Sequence, residues 1–368
     1  MDNYRFLLSG GGTGGHIYPA VAIADELRRR HPEASFLFVG AADRMEMEKI
    51  PQAGYPIRGL WISGLERKLS WKNLLFPLKL LVSMIKAHAI VRDFKPHLVV
   101  GTGGFASGPT LRMAASQGIP CVLQEQNSFA GITNKWLAKK AERVFTAYEG
   151  MERFFPPQAI CLTGNPVRGG LTESLPDSAS ARTSLGLEPD RKTLLVLGGS
   201  QGARRINQLV EQERSFLQEL GFQLLWQCGK GYFETYRSCA SERVQVRPFI
   251  QEMAHAYAAA DLIISRAGAG SVSELCLVGK PVLFIPSPNV AEDHQRKNAE
   301  AIVRKEAALM LREAELEEKF EPLLRELVSD PARMQELGKN IRQLARPDAT
   351  AHIVDEIEAI LKATYGTQ

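Results

Sequence analysis

Three observations predict an α/β chain of two doubly wound domains. The strand-like segments are continuous apolar runs rather than alternating ones, as a parallel sheet covered on both faces requires. A unit of short strand, glycine loop and helix opens the chain and recurs from residue 193. The 368 residues correspond to two domains at ~150 residues each, and an apolar fraction of 45% supplies a core for both.

The first domain begins with the run YRFLLS at 4–9, followed by GGGTGGH at 10–16 and a helical pattern to about residue 28. Further strands are predicted at 35–40, 97–101, 120–123 and 143–146, with helical stretches between them. The pattern restarts with TLLVL at 193–197 and GGSQGARRIN at 198–207, and strands follow at 222–226, 243–246, 262–265 and 281–285. Glycine and proline cluster at 164–170, before a serine-rich stretch, and mark the hinge. The expected division is an N-terminal domain over 1–163, a C-terminal domain over 164–340 and a helical segment over 341–368. In that last segment Ile353, Ile357, Ile360 and Leu361 fall on one helix face, which predicts packing back on the N-terminal domain.

Lys and Arg number 45 against 41 Asp and Glu, a net charge of +4 that is too dilute for a nucleic-acid binder. The five cysteines form no CxxC pair, which fits a reducing, cytoplasmic setting. No secretory signal opens the sequence, and its most apolar stretch, 74–91, is interrupted by Lys79, Lys86 and His88, so no membrane span is expected. The charge is unevenly placed. Between Arg58 and Lys95 eight cations stand against two anions, interleaved with Trp61, Trp71, Leu74, Leu75, Phe76 and further apolar residues. An apolar face edged with cations suits an anionic bilayer surface, with Trp71, Leu74, Leu75, Phe76, Lys72 and Lys79 as the contacts. The competing reading is a core helix with a basic solvent face.

A glycine turn that delivers a strand to a helix gathers unpaired backbone N–H groups, a ready site for phosphate. The first loop departs from the dinucleotide fingerprint GxGxxG, although Asp43 after the second strand keeps a nicotinamide reading open. Neither loop is followed by the Gly-Lys-Ser/Thr of a Walker motif. Three more polar clusters, QEQNS at 124–128, RAGAGSVSE at 266–274 and EDHQRKN at 292–298, follow predicted strands, where open α/β sheets bind ligands. No Cys/His set has zinc-ligand spacing and no nucleophile elbow is present, so metal and covalent hydrolase chemistry are not expected.

With GGGTGGHIYPA at 10–20, QEQNSFAGITNKWLAKKA at 124–141, GNPVR at 164–168, GGSQGARRIN at 198–207 and RAGAGSVSE at 266–274, the sequence resembles the MurG family over essentially its whole length. That family transfers GlcNAc from UDP-GlcNAc to lipid I in bacterial peptidoglycan synthesis. The resemblance implies a GT-B glycosyltransferase, two Rossmann-like domains facing across a cleft, working without a cofactor or metal. It places the donor on the C-terminal domain: Phe249 and Ile250 beside the uracil, Glu274 on the ribose, and Arg168, Ser200 and the helix start at Ala269, Gly270 and Ser271 on the diphosphate. His294 and Gln295 would meet the sugar hydroxyls, His294 being a departure from the two glutamines of many relatives.

On the acceptor side the resemblance implies that Thr13, Gly14, Gly15 and His16 meet the lipid-linked diphosphate and the attacking hydroxyl, with Glu125 and Asn127 near the acceptor sugar. His16 is the leading general base, because imidazole exchanges a proton readily at neutral pH. Glu125 is the alternative base. The bland roles are a phosphate-orienting or loop-capping His16 and a loop-organising Glu125. The implied partners are UDP-GlcNAc, lipid I, the anionic cytoplasmic face of the inner membrane, and cell-wall synthesis and division proteins. Rival functions are a GT-B enzyme acting on diacylglycerol or another lipid, a nucleotide-sugar epimerase, and a noncatalytic nucleotide-binding adaptor.

Overall fold

The computed structural model describes residues 3–64, 75–167, 175–199 and 201–366. Trp71, Lys72, Leu74, Arg168 and Ser200 lie outside the described residues. The chain divides into two compact units, 1–167 with 348–368, and 168–347.

The first unit contains β1 (Arg5–Gly10), α1 (Gly14–Arg30), β2 (Ser35–Ala41), α2 (Glu46–Gln52), β3 (Ile57–Leu60), α3 (Phe76–Phe94) and β4 (Leu98–Gly103). Then come α4 (Ser107–Ser116), β5 (Cys121–Glu125), α5 (Ile132–Leu137), β6 (Arg143–Thr146) and β7 (Ile160–Leu162). The strands form one parallel sheet in the order β3-β2-β1-β4-β5-β6-β7. Side chains alternate across it. Phe6, Leu8, Val100, Val122 and Phe145 enter the core under α1, whereas Leu7, Val99, Leu123 and Val144 enter the opposite core with Ala87, Ile90 and Val91 of α3 and Leu111 and Ala114 of α4. This is why the strands read as continuous apolar runs.

The second unit contains α6 (Ser178–Ser184), β8 (Thr193–Leu197), α7 (Arg204–Glu219), β9 (Gln223–Gln227), α8 (Phe233–Tyr236), β10 (Val244–Arg247), α9 (Met253–Ala259) and β11 (Leu262–Ser265). It continues with α10 (Ala269–Val278), β12 (Val282–Phe284), α11 (His294–Val303), β13 (Leu309–Met310), α12 (Leu316–Ser329) and α13 (Pro331–Gln343). Its parallel sheet runs β10-β9-β8-β11-β12-β13. Trp226 is fully buried, and its indole N–H donates to Asn207 Oδ1 at 3.0 Å while Asn207 Nδ2 donates to the Cys228 carbonyl at 2.8 Å. That network places α7 on the sheet without leaving a polar atom unpaired.

The final helix, α14 (Ala349–Tyr365), belongs to the first unit. Ile353, Val354, Ile357 and Leu361 are buried in the core shared with α1, which stabilises the docking by about 6–12 kcal/mol as an upper estimate. Arg30 adds ion pairs to Asp355 at 2.6 Å and Glu358 at 3.0 Å. The unit boundaries fall after Val167 and after Pro347 rather than after 163 and 340. The expected second boundary lay inside α13, which runs unbroken from Pro331, capped by the Asp330 carboxylate accepting from Arg333 N–H, to Gln343. Three short strands, β3, β7 and β13, were not expected from the sequence; all extend the sheet edges.

Candidate active site

Each sheet reverses its strand order beside its first strand, β1 against β4 and β8 against β11, and a crevice opens at the carboxyl ends of such strands. In the first unit the 10–13 loop leads from β1 into α1. Gly11 N–H donates to the Gly103 carbonyl at 3.3 Å, so the loop after β4 lies against it. Gly104 has φ +90°, and a Cβ there would overlap the Gly11 carbonyl. Thr13 precedes α1 in extended conformation, and its exposed side chain makes no capping bond. The first turn of α1 carries no acidic residue, so its N–H groups and helix dipole favour an anion. Gly15, beside Thr13, is exposed.

His16 is half-buried, and its Nδ1 lies 2.9 Å from Gln126 Oε1. The orientation of Gln126 is fixed because its amide nitrogen donates to the carbonyls of Thr102 at 2.8 Å and Gln124 at 3.0 Å and to Gln124 Oε1. With an oxygen facing it, Nδ1 must carry the hydrogen, which leaves Nε2 with a lone pair. Thr102 Oγ1 also donates to the His16 carbonyl at 2.7 Å. The ring is therefore held in one tautomer from the β4 and β5 side.

Glu125 is buried, and its carboxylate is occupied. One oxygen accepts from Asn127 N–H at 3.1 Å and Asn127 Nδ2 at 3.4 Å, and the other from Gly131 N–H at 3.1 Å and Asn134 Nδ2 at 2.9 Å. These four donors make it the anchor of the 126–131 turn, and taking a substrate proton would break that anchor. The 164–165 turn joins the same network: Gln124 Nε2 donates to Asn165 Oδ1 at 2.8 Å, and Asn165 Nδ2 donates to the Gln126 carbonyl at 3.0 Å.

Sequence reasoning missed Glu46. Its side chain is buried against the glycine loop, accepting Gly12 N–H at 2.9 Å and Ala41 N–H at 3.0 Å. A Cβ on Gly11 would overlap this carboxylate. Asp43, which kept a nicotinamide reading open, is instead exposed and faces Arg44 at 3.9 Å. The acidic group after β2 thus buttresses the loop. The available signal was an acidic residue one turn beyond the strand end, opposite three consecutive glycines. Gln126 stood within the noted QEQNS cluster but was not singled out.

In the second unit, a cavity of about 490 Å³ opens among the loops after β8, β11 and β12. Gly198, Gly202, Arg204, Arg205, Arg266 and Gln295 are among its lining residues, so several cations meet a glycine turn. Arg266 is held by the Ile285 carbonyl at 2.9 Å and by Glu313 at 2.6 Å. Gln295 Oε1 accepts from Ser287 N–H at 2.9 Å. Of the described donor residues expected from the sequence, Gln295 alone lines this cavity.

Ala269, Gly270 and Ser271 form the first turn of α10, which has no acidic residue and no side-chain cap; Gly270 is exposed with nothing near its Cβ position. Glu274 is half-buried on the next turn and accepts from Tyr257 Oη at 3.0 Å. Phe249 is exposed and Ile250 buried, and Ile250 N–H donates to Gln227 Oε1 at 2.8 Å, which leaves its carbonyl as the backbone group not engaged by that bond. His294 opens α11 directly after Glu292 and Asp293, both non-glycine residues with positive φ, 55° and 54°. Such paired strain concentrates where a side chain must be aimed.

Of the residues expected at the membrane, Leu75 is exposed, Lys79 is half-buried and Phe76 is half-buried. The apolar surface continues along α3 through Leu78, Leu81, Val82 and Ile85, all exposed and spaced on one helix face, while Ser83, Ala87, Ile90 and Val91 face the core. Lys79 Nζ donates to Ser63 Oγ at 2.9 Å and lies 5.6 Å from the Trp61 ring centroid. No described helix is long and apolar enough to cross a membrane.

Two parallel-sheet Rossmann-like units, each with a glycine turn feeding a helix N-terminus, have the architecture of the GT-B class of glycosyltransferases. The chain belongs to glycosyltransferase family 28, matching its N-terminal domain over residues 6–146 and its C-terminal domain over residues 193–353. It is 56% identical over 360 residues to the UDP-N-acetylglucosamine--N-acetylmuramyl-(pentapeptide) pyrophosphoryl-undecaprenol N-acetylglucosamine transferase of Christiangramia forsetii, covering 98% of both chains. It is 50% identical to the protein of the same name from Bacteroides fragilis, covering 97% of this chain and 95% of that one. Among solved structures, it is similar to MurG of Acinetobacter baumannii with a TM-score of 0.79 and 28% identity, covering 97% of this chain and all of the other. A UDP-N-acetylglucosamine 2-epimerase shares the fold, with a TM-score of 0.64 at 14% identity, covering this whole chain and 98% of that one.

Proposed function

We propose that this chain transfers GlcNAc from UDP-GlcNAc to the 4-hydroxyl of MurNAc in lipid I, with inversion, giving a β-1,4 link and lipid II. The end-to-end match to relatives named for this transfer carries the substrate assignment. The fixed tautomer of His16 carries the mechanism.

The acceptor diphosphate binds at the N-terminus of α1, against the backbone of Thr13, Gly14 and Gly15. The 4-hydroxyl oxygen attacks the anomeric carbon as its proton passes to His16 Nε2. The bond from that carbon to the UDP oxygen breaks, and the electron pair leaves with UDP. Gln126 Oε1 then holds the Nδ1–H of the imidazolium, the role of an orienting acceptor. Negative charge developing on UDP is met by the N-terminal turn of α10 and by Arg168 and Ser200. Glu274 takes the ribose hydroxyls, Phe249 and Ile250 the uracil, and His294 and Gln295 the sugar. Glu125 organises the acceptor loop and Asn127 lines it, so His16 is the base.

The enzyme works at the anionic cytoplasmic face of the membrane. The outward stripe of Leu75, Leu78, Leu81 and Ile85, with Lys79 beside it, supports that reading over a core helix with a basic face. The test is UDP release from UDP-GlcNAc with and without a soluble lipid I analogue. Release that requires the analogue is expected. Release with diacylglycerol instead, epimerised donor without acceptor, or binding without release would replace this reading with one of its rivals.

A further inference from the structure

Cys161 is the central residue of β7, the edge strand of the first sheet, and packs against the core that receives α14. His352 and Glu356 stand one helical turn apart on α14, on the side that meets it. Cys161 Sγ lies 3.9 Å from His352 Nε2, and the ligand atoms of all three residues lie within 4.8 Å of one another. None of the three lies on the glycine loop or in the Glu125 network.

We infer that Cys161, His352 and Glu356 form a structural site for a zinc-class divalent cation that staples the last helix to the sheet edge. Thiolate, imidazole and carboxylate are a zinc donor set, and three protein ligands with water in the fourth position is a common coordination. Tetrahedral bonds of about 2.0–2.3 Å place donors ~3.5 Å apart, so the present separations close with small side-chain rotations. Glu356 already has an orienting partner: its Oε2 pairs with Arg143 Nε at 3.2 Å, and the carboxylate has a second oxygen to offer the metal. Two ligand charges neutralise the dication. Burial and the neighbouring Glu356 carboxylate raise the Cys161 thiol pKa, and the metal displaces its proton. The clasp joins residues 191 positions apart, so binding directly favours the docked helix.

The test uses the full-length, reduced, metal-stripped protein titrated with Co²⁺. One equivalent should produce a thiolate-to-cobalt charge-transfer band that Zn²⁺ then abolishes. The other four cysteines are buried, so the band reports Cys161. Zn²⁺ at ten times its Kd should raise the unfolding temperature by about 3–6 °C. Cys161→Ser should lose both band and shift while retaining wild-type UDP release, and His352→Ala should weaken Co²⁺ binding at least tenfold. No charge-transfer band in the wild type, a band that persists in Cys161→Ser, or unchanged affinity in His352→Ala would overturn the assignment. The cobalt spectrum does not depend on turnover, so it stands apart from the transferase reading.

Discussion

Replacing Glu46 by Gln separates a loop-supporting carboxylate from a bystander. The two oxygens accept Gly12 N–H and Ala41 N–H at 2.9 and 3.0 Å, inside the protein. Each charge-assisted bond contributes about 1.5–3 kcal/mol. The amide keeps one acceptor and turns an NH₂ toward the other backbone N–H, so one bond is lost and a donor faces a donor. Allowing for the smaller desolvation cost of an amide, destabilisation of about 2–4 kcal/mol follows. At about 2–4 °C per kcal/mol for a unit of this size, unfolding of the first unit should fall by roughly 5–15 °C. Because the Gly12 end of the lost contact shapes the α1 entrance, turnover should drop at least tenfold alongside. Differential scanning calorimetry and steady-state UDP release measure the two effects. Asp43→Asn, at an exposed site, is the control and should change neither. A Glu46→Gln protein that unfolds within about 0.5 kcal/mol of wild type, with normal turnover, would refute the buttress.

His16→Ala should lower kcat by about 10²–10⁴ with little change in donor KM or in melting temperature; near-normal turnover in steady-state assays would remove His16 as the base. Replacing Leu78, Leu81 and Ile85 together with Ser should cut sedimentation with anionic vesicles at least tenfold while the circular dichroism melt is kept, and undiminished binding would rule out this face. Hydrogen bonds from Arg29, then Arg30, hold the Glu26 carboxyl at about 2, against its ordinary 4.5. Its stabilising effect is therefore complete above pH 4.5 and is lost as pH falls toward 2. The acid limb of the stability profile should flatten in Glu26→Gln, and an unaltered limb would show that the pairs contribute nothing.

The interior of both sheets was legible in the sequence because strands covered on both faces have unbroken apolar runs, as in TLLVL at 193–197. The edge strands β3, β7 and β13 were not, since they are short, mostly only partly buried, and take their register from the neighbouring strand. The glycine loop at 10–15 was legible as a strand-to-helix turn that leaves backbone N–H groups without a side-chain cap. Its supports were less so: Glu46 reaches from beyond β2 to the loop after β1, and Gln126 acts through an amide whose orientation depends on the carbonyl of Thr102 on β4 as well as that of nearby Gln124. The family resemblance offered Glu125 as a candidate base, but the sequence could not show four donors already converging on it. The charge excess at 58–95 pointed to a surface helix, whereas its apolar stripe became distinguishable from a core face only once Ala87, Ile90 and Val91 were seen to occupy the core.

The central claim is tested most directly by the linkage in the product formed from UDP-GlcNAc and a soluble lipid I analogue. Nuclear magnetic resonance of the purified disaccharide should show one GlcNAc joined β to O4 of MurNAc, with one UDP released per link. An α-linked sugar, attachment at another hydroxyl, or UDP release without a disaccharide would contradict direct inverting transfer assisted by His16.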